Sequence, residues 1–202
     1  NKVVNEMLGH VFYSASFINE HLDDMLVVLN IEEKKGGIFL KKEHIIFSEL
    51  LNEIIDSIKT DAEKKRVVFD IKLSITLPLI FADRMKIKKV LRALLLNAIL
   101  YNRIGGRVHV TIGTKRLNGQ PHFRCVVGDE GMGITDEERG SMFSKFYRSD
   151  AARLASPNGF GISLFIAKHF IEAHGGELWF VSKGRDRGAT FELKFPIELQ
   201  TQ

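Results

Sequence analysis

Val126-Val127-Gly128-Asp129-Glu130-Gly131-Met132-Gly133-Ile134 (VVGDEGMGI, 126–134) runs from a β-branched pair into a carboxylate and two spaced glycines. The valines read as a strand end. Glycines in Asp-x-Gly-x-Gly spacing let the backbone approach a flat ligand, and a strand-end carboxylate accepts hydrogen bonds. Taken alone, the same residues also suit a tight turn with a solvated Asp. Upstream, Arg107–Arg116 and His122–Val127 are predicted strands joined through Asn118-Gly119, a strong hairpin signal. Gly105-Gly106 stops a long helix that Asp83 can cap and that reaches about Tyr101. Before it, Pro78 breaks the link from a Val67–Leu73 strand. Ser48 can cap a helix with Leu51, Ile54, Ile55, Ile58 and Ala62 on its apolar face, and Ile38–Lys42 is a short strand. Downstream, a polar loop leads to a helix over Ile162–His174, and Glu177–Val181 and Ala189–Phe195 finish as strands. About six strands and three or four helices predict an α+β, two-layer sandwich, a mixed sheet covered by helices on one face.

The first thirty residues follow another rule. Val4, Leu8, Val11, Ala15, Ile18, Leu22, Met25 and Leu29 recur at alternating spacings of 4 and 3, a seam of the helix-bundle type. Gly36-Gly37 ends it. A lone helix cannot bury such a stripe, so it either folds back on the following domain or meets partner helices, and a seam sustained over nearly four heptads favours the partners. The chain divides accordingly into 1–35, a bundle helix, and 38–198, the α+β domain.

Of the 202 residues, 45% are hydrophobic and 27% charged, with 17 Gly and 4 Pro, which excludes disorder and low complexity and leaves material for a core. Apolar runs such as Met25–Leu29 are far too short to span a bilayer, and no signal peptide opens the chain. The net charge of +4 does not demand nucleic acid, and none is expected as a partner. Lone Cys125 excludes a disulfide framework and reads as a buried thiol. The expectation is a cytoplasmic piece of a longer protein, tied to a membrane only through segments upstream.

Three further islands carry chemistry. In Lys88–Asn102 (KKVLRALLLNAILYN), Asn97 sits among leucines, and an unpaired buried amide costs roughly 1–3 kcal/mol. It either bonds an internal carbonyl or faces a ligand. Met142–Asp150 (MFSKFYRSD) places aromatics and Arg148 before a polar loop. Asn158–Gly176 opens an amphipathic helix with Gly159-x-Gly161, and a glycine-rich helix start is a ready phosphate cradle. A Walker loop, a dinucleotide fingerprint, His/Cys metal spacing and a Gly-x-Ser-x-Gly elbow are all missing.

In order, these islands resemble the ATP-binding domain of sensor histidine kinases, within the superfamily shared with DNA gyrase and mismatch-repair ATPases. Asn97 with Tyr101 looks like the N box, Asp129-Gly131-Gly133-Ile134 the G1 box, and Phe143 with Phe146-Tyr147-Arg148 the F box. Gly159-Gly161-Leu164 looks like the G2 box, and Arg187-Gly188-Ala189-Thr190-Phe191 the closing strand motif. The seam helix resembles the second helix of the dimerisation and phosphotransfer bundle. The resemblance implies ATP held between the N-box helix and a lid at about Arg148–Phe160, which has little to pack and is expected to be mobile without nucleotide. Asp129 would accept the adenine amino group with help from Thr190, Tyr101 would line the pocket, and Asn97 would hold magnesium through its amide oxygen. Gly131, Gly133, Ile134, Phe146, Arg148, Gly159, Gly161, Ser163 and Leu164 complete the implied nucleotide site. The implied activity is transfer of the γ-phosphoryl group to a bundle histidine and onward to a response-regulator aspartate. The implied partners are a second copy, through the N-terminal helix, and a receiver domain.

The sequence departs from the family's pattern at four places. Ala93 stands where gyrase-like relatives carry a catalytic Glu, which argues against gyrase-type water activation. Leu100 replaces a phosphate-facing Lys, for which Arg148 or Arg103 are candidate substitutes; a charge-assisted hydrogen bond is worth roughly 1.5–3 kcal/mol. Glu130 replaces the usual Asn, and Ser163 a third glycine. His10 precedes Val11 and His21 precedes Leu22, so neither fits the His-Glu/Asp acceptor pattern, and none of the 202 residues is assigned that role. A second reading follows from these departures: a degenerate nucleotide-binding scaffold that regulates a partner without catalysis. A serine or protein kinase of the same superfamily is a third, disfavoured by the bundle helix. The basic clusters Arg84–Arg92 and Lys64-Lys65-Arg66 read first as solvated faces.

Overall fold

The computed structural model describes residues 2–33, 38–74, 79–157 and 159–197, in two compact units, 1–38 and 39–202. The Gly36-Gly37 stop, the Pro78 break and Asn158 lie outside the described residues.

The first unit is one helix, α1 (Lys2–Glu33). Val4, Leu8, Val11, Ala15, Ile18, Leu22 and Leu29 are exposed along it, seven of the eight seam positions.

In the second unit, β1 (Glu43–Ile45) pairs antiparallel with β3 (Ile80–Ala82), with Ile45 opposite Ile80. The expected strand at Ile38–Lys42 is not formed. Asp83 sits directly after β3 and takes the Lys41 N–H on its carboxylate at 2.9 Å, so residue 41 is held by a side chain and pairing starts two residues later. The Ser48 cap is also corrected. Helix α2 (Phe47–Lys65) begins earlier, with Ile46 in the N-cap position, and Phe47 is buried against Phe123, 4.7 Å away between ring centroids. Leu50, Leu51, Ile54, Ile58 and Ala62 form its buried face, while Ile55 lies at the margin.

A five-stranded sheet follows, ordered β2-β4-β5-β7-β6: β2 (Val68–Leu73), β4 (Arg107–Leu117), β5 (Gln120–Asp129), β7 (Ala189–Pro196) and β6 (Glu177–Ser182). Only β2 and β4 are parallel, since α3 (Arg84–Leu100) supplies the crossover between them; the other pairs are antiparallel. The β4–β5 turn is Asn118-Gly119, both with positive φ, as a two-residue hairpin requires. Alternation places Val108, Val110, Ile112, Phe123, Cys125, Val127, Phe191, Leu193 and Phe195 on the buried face. The opposite face carries polar pairs such as Arg124 with Glu192, at 2.6 and 2.8 Å. The core lies between that single apolar face and α2, α3 and α6 (Ser163–Ala173), the one-sided helical cover expected, and α3 is the middle helix. Burial pushes the Cys125 thiol up to about 12, so it packs as an inert apolar group.

Asp83 caps α3 through the Lys86 N–H at 3.1 Å, as its position predicts. It also ties α3 to the end of α6. Its N–H donates to His174 Nε2 at 3.1 Å, and His174 Nδ1 lies 2.6 Å from the Phe170 carbonyl. These contacts require neutral His174 with its proton on Nδ1, and burial holds its pKa below the ordinary range. Two short helices not foreseen in the sequence, α4 (Asp136–Arg139) and α5 (Asp150–Ala155), lie between β5 and α6. Among the described residues no helix is long and apolar enough to cross a membrane.

Candidate functional site

Two groups of the expected residues are each drawn together, one at the end of β5 and one ahead of α6. Asp129 is the last residue of β5, between β4 and β7, with Thr190 opposite its neighbour Gly128. Its Oδ1 accepts from the Gly131 N–H at 2.9 Å and the Ala189 N–H at 3.2 Å, and among the described residues Oδ2 takes no hydrogen bond. Burial outweighs these two bonds and pushes the carboxyl up from 3.8 to about 6. The carboxylate is therefore poised and half-satisfied.

The glycines after it have a packing reason of their own. A Cβ on Gly131 would lie 2.1 Å from the Tyr101 carbonyl oxygen, and one on Gly133, at φ +68°, would lie 2.0 Å from that of Gly184. The close approach is between protein segments. The loop is pressed on one side against the end of α3 and on the other against the β6–β7 turn. Met132 N–H donates to Tyr101 O at 3.1 Å, and Gly188 N–H to Gly131 O at 3.0 Å. Ile134 is buried, and its N–H donates to Ser182 Oγ at 3.0 Å. Gly131, Gly133 and Ile134 thus build the wall that aims Asp129.

Asn97 and Tyr101 share one face of α3, one turn apart. The two readings of Asn97 separate here: its side chain is half-buried and makes no hydrogen bond among the described residues, so no internal carbonyl claims it. Tyr101 ends the helix, half-buried.

The second group surrounds Arg148. Its guanidinium donates to the carbonyls of Ala152 at 2.7 Å, Gly159 at 2.7 Å, Pro157 at 3.3 Å and also Ser156. Its Nε is buried without a partner among the described residues. A segment with little to pack is thereby folded around one cation, with Ser149 capping α5. Gly161, at φ +71°, lets the chain pass the backbone of Phe146 and Tyr147, where a Cβ would lie 2.5 Å from Tyr147 O. Phe146 has φ 62° and is exposed, an unusual conformation for an aromatic residue. Ser163 and Leu164 open α6, whose N-cap Ile162 provides no side-chain bond, so its first N–H groups are left without a side-chain cap. Phe143 packs on Phe180 and Phe191, centroids 5.8 and 6.5 Å away, and α6 lies along α3, setting this group beside the first.

Neither expected substitute for a phosphate-facing Lys is uncommitted. Arg148 holds the loop, and Arg103 pairs with Glu130 at 2.5 Å, which with the Arg107 N–H keeps that carboxylate below its usual range. The basic residues at the start of α3 are structural as well: Arg84 and Lys88 both reach Glu53 on α2. Lys65, too, is part of the fold. Its ammonium donates to the carbonyls of Leu100 and Asn102 at the end of α3. The sequence signalled it only as a run of charge.

Residues 82–199, more than half of the chain, match the model of the Histidine kinase-, DNA gyrase B-, and HSP90-like ATPase family. The chain belongs to that family. Among the family's sensor kinases, the adaptive-response sensory kinase SasA of Nostoc sp. is 32% identical over 197 residues, covering 96% of this chain and 46% of SasA. Full-length ShkA, solved with AMPPNP, superposes with a TM-score of 0.73 over 93% of this chain and 36% of its own, at 22% identity. ThkA, solved with the response regulator TrrA, gives 0.65 over 92% of this chain and 50% of its own, at 23% identity. The chain spans less than half the length of the first curated relatives it matches. The described sheet and its helical layer are those of the ATPase family's histidine-kinase catalytic domains.

Proposed function

We propose that the chain is the ATP-binding catalytic part of a two-component sensor histidine kinase, residues 38–198 forming the catalytic domain and 1–35 the second helix of the dimerisation bundle. The observation that carries the reading is Asp129, a half-buried carboxylate with Oδ1 fixed by two backbone N–H groups and Oδ2 meeting no donor among the described residues. That is an acceptor matched to the amino group of adenine, with Thr190 beside it. The N–H groups at the start of α6 suit phosphate oxygens. Phe146, Gly159, Gly161, Ser163 and Leu164 form the rim facing them, and Tyr101 the wall. Arg148 joins the phosphates only by giving up some of its four carbonyls.

Magnesium fits Asn97. An amide oxygen is a hard ligand, this one is not engaged by the described residues, and magnesium takes one or two protein ligands with phosphates and water supplying the rest. The ion's part there is to neutralise phosphate charge. The domain's part is to hold the γ-phosphoryl group in reach of a histidine, which in this proposal is neither His10 nor His21. A receiver-domain aspartate is the onward acceptor, by analogy with ThkA. Removing magnesium is expected to weaken ATP binding about tenfold or more, and Asn97→Ala to abolish that difference. Calorimetric titration with and without EDTA reads both. Equal magnesium dependence in the two proteins would remove Asn97 from the metal site.

The exposed seam of α1 supports a homodimer through a bundle of helices from two chains. Leu22→Asp would bury an unpaired carboxylate at its centre. Sedimentation of the full-length kinase is expected to show a dimer for wild type and a monomer for the variant. A persisting dimer would place the interface elsewhere.

A further inference from the structure

Helix α3 carries no basic residue in its own last turn, although that end presents unpaired carbonyls and negative dipole. The cation comes from another element. Lys65, at the end of α2 and outside the family-matched residues 82–199, donates from Nζ to Leu100 O and, at 2.8 Å, to Asn102 O. Its own carbonyl accepts the Gly105 N–H at 3.0 Å, so the turn is held from both sides of the Lys65 residue. The two carbonyls it grips flank that of Tyr101, which accepts the Met132 N–H and against which Gly131 is pressed. Asn102 adds rigidity: its side chain donates to Arg107 O at 3.0 Å and accepts from Arg103 N–H at 2.9 Å. Burial lowers the Lys65 pKa, which marks an ammonium drawn partly out of water to reach these carbonyls.

We propose that Lys65 is a positioning residue of the nucleotide site: by gripping the carbonyls of Leu100 and Asn102 it sets the Tyr101 carbonyl on which the Asp129–Gly133 loop hangs. The inference rests on the proposed nucleotide reading for its consequence, but not for its geometry. Asn97 lies one turn before the gripped carbonyls and Asp129 three residues before Met132. Loosening the grip therefore lets the two ligand-facing groups drift apart without removing either. A metal-holding amide and a base-reading carboxylate act together only at a set separation, and tolerances in such sites are fractions of an ångström.

The test compares Lys65→Met and Lys65→Arg with wild type, all as the 202-residue chain. The first readout is residue-resolved amide exchange without nucleotide. Lys65→Met is expected to speed exchange of the Met132 N–H about tenfold while the β4–β5 amides keep their protection, and to raise the Kd for ADP with magnesium about tenfold. Lys65→Arg, which keeps donors and charge, is expected to restore most of both. Unchanged Met132 protection, or acceleration spread evenly over α2 and α3 with no excess at Met132, would overturn the proposal. If Lys65→Met does not fold, Lys65→Gln, which retains a donor, is read in its place, and failure of both to fold would reduce Lys65 to a stability role and overturn it. Should wild type bind no adenine nucleotide, the functional reading falls, and Met132 exchange still decides whether Lys65 sets the loop.

Discussion

Asp129→Asn is expected to weaken ATP binding roughly tenfold to a hundredfold while making the nucleotide-free domain more stable at neutral pH. The two effects have one cause. Asn keeps an oxygen for the Gly131 and Ala189 N–H groups, so the loop holds its shape. Its amino group, however, stands where Oδ2 would meet the adenine amino group in the proposed site, and two donors would then face each other. In the wild-type domain burial raises the carboxyl from 3.8 to about 6, so the folded state holds this proton more tightly than the unfolded chain. Stability from this group is accordingly present below about pH 4 and is lost as pH rises to about 6; above that the buried charge is a fixed cost, on the order of 1–3 kcal/mol. Asn removes that cost. Melting curves of the two proteins are expected to differ most above pH 7 and to converge near pH 4. A variant that is less stable than wild type at pH 7.5 would show that the carboxylate is a net support of the fold.

Gly131→Ala is expected to lower stability by about 3 kcal/mol or more, or on the order of 10 °C in Tm, with loss of nucleotide binding. Its new Cβ would meet the Tyr101 carbonyl oxygen at 2.1 Å and Asn102 Cα at 2.9 Å, and both are backbone atoms at a helix end that Lys65 and Asn102 already hold. Gly140→Ala is the matched control. Gly140 has helical φ and ψ, and a Cβ there meets nothing within 4 Å, so its change is expected within about 0.5 kcal/mol of zero or slightly stabilising. Equal Tm values for the two variants would mean that the loop yields, and that the junction of Asp129–Gly133 with α3 is softer than its geometry.

These variants also separate what was legible in the sequence from what was not. The hairpin at Asn118-Gly119, the Asp83 cap, the apolar face of α2 and the strands β4 and β7 are local signals, and each forms close to where its residues predict. Ile38–Lys42 and Ser48 misled because their fates depend on distant groups, the Asp83 carboxylate and the Phe123 ring. The motif glycines were visible, but their neighbours were not: the atoms that exclude a side chain at Gly131 and Gly133 belong to residues thirty and fifty-one positions away. Lys65 and Arg148 illustrate the same limit for charge. A cation in sequence shows neither which carbonyls it can reach nor that it is already occupied.

Base selectivity tests the central claim most directly. With Asp129 as the reader, the chain accepts an exocyclic amino group, and guanine presents a carbonyl oxygen at the corresponding position of its ring. Calorimetric titration of the wild-type chain with ATP and GTP, each with magnesium, is expected to give one saturable site per chain and at least about tenfold tighter binding of ATP, a preference that Asp129→Asn narrows or reverses. Equal affinity for the two nucleotides in wild type, or no binding heat from ATP, would contradict the account.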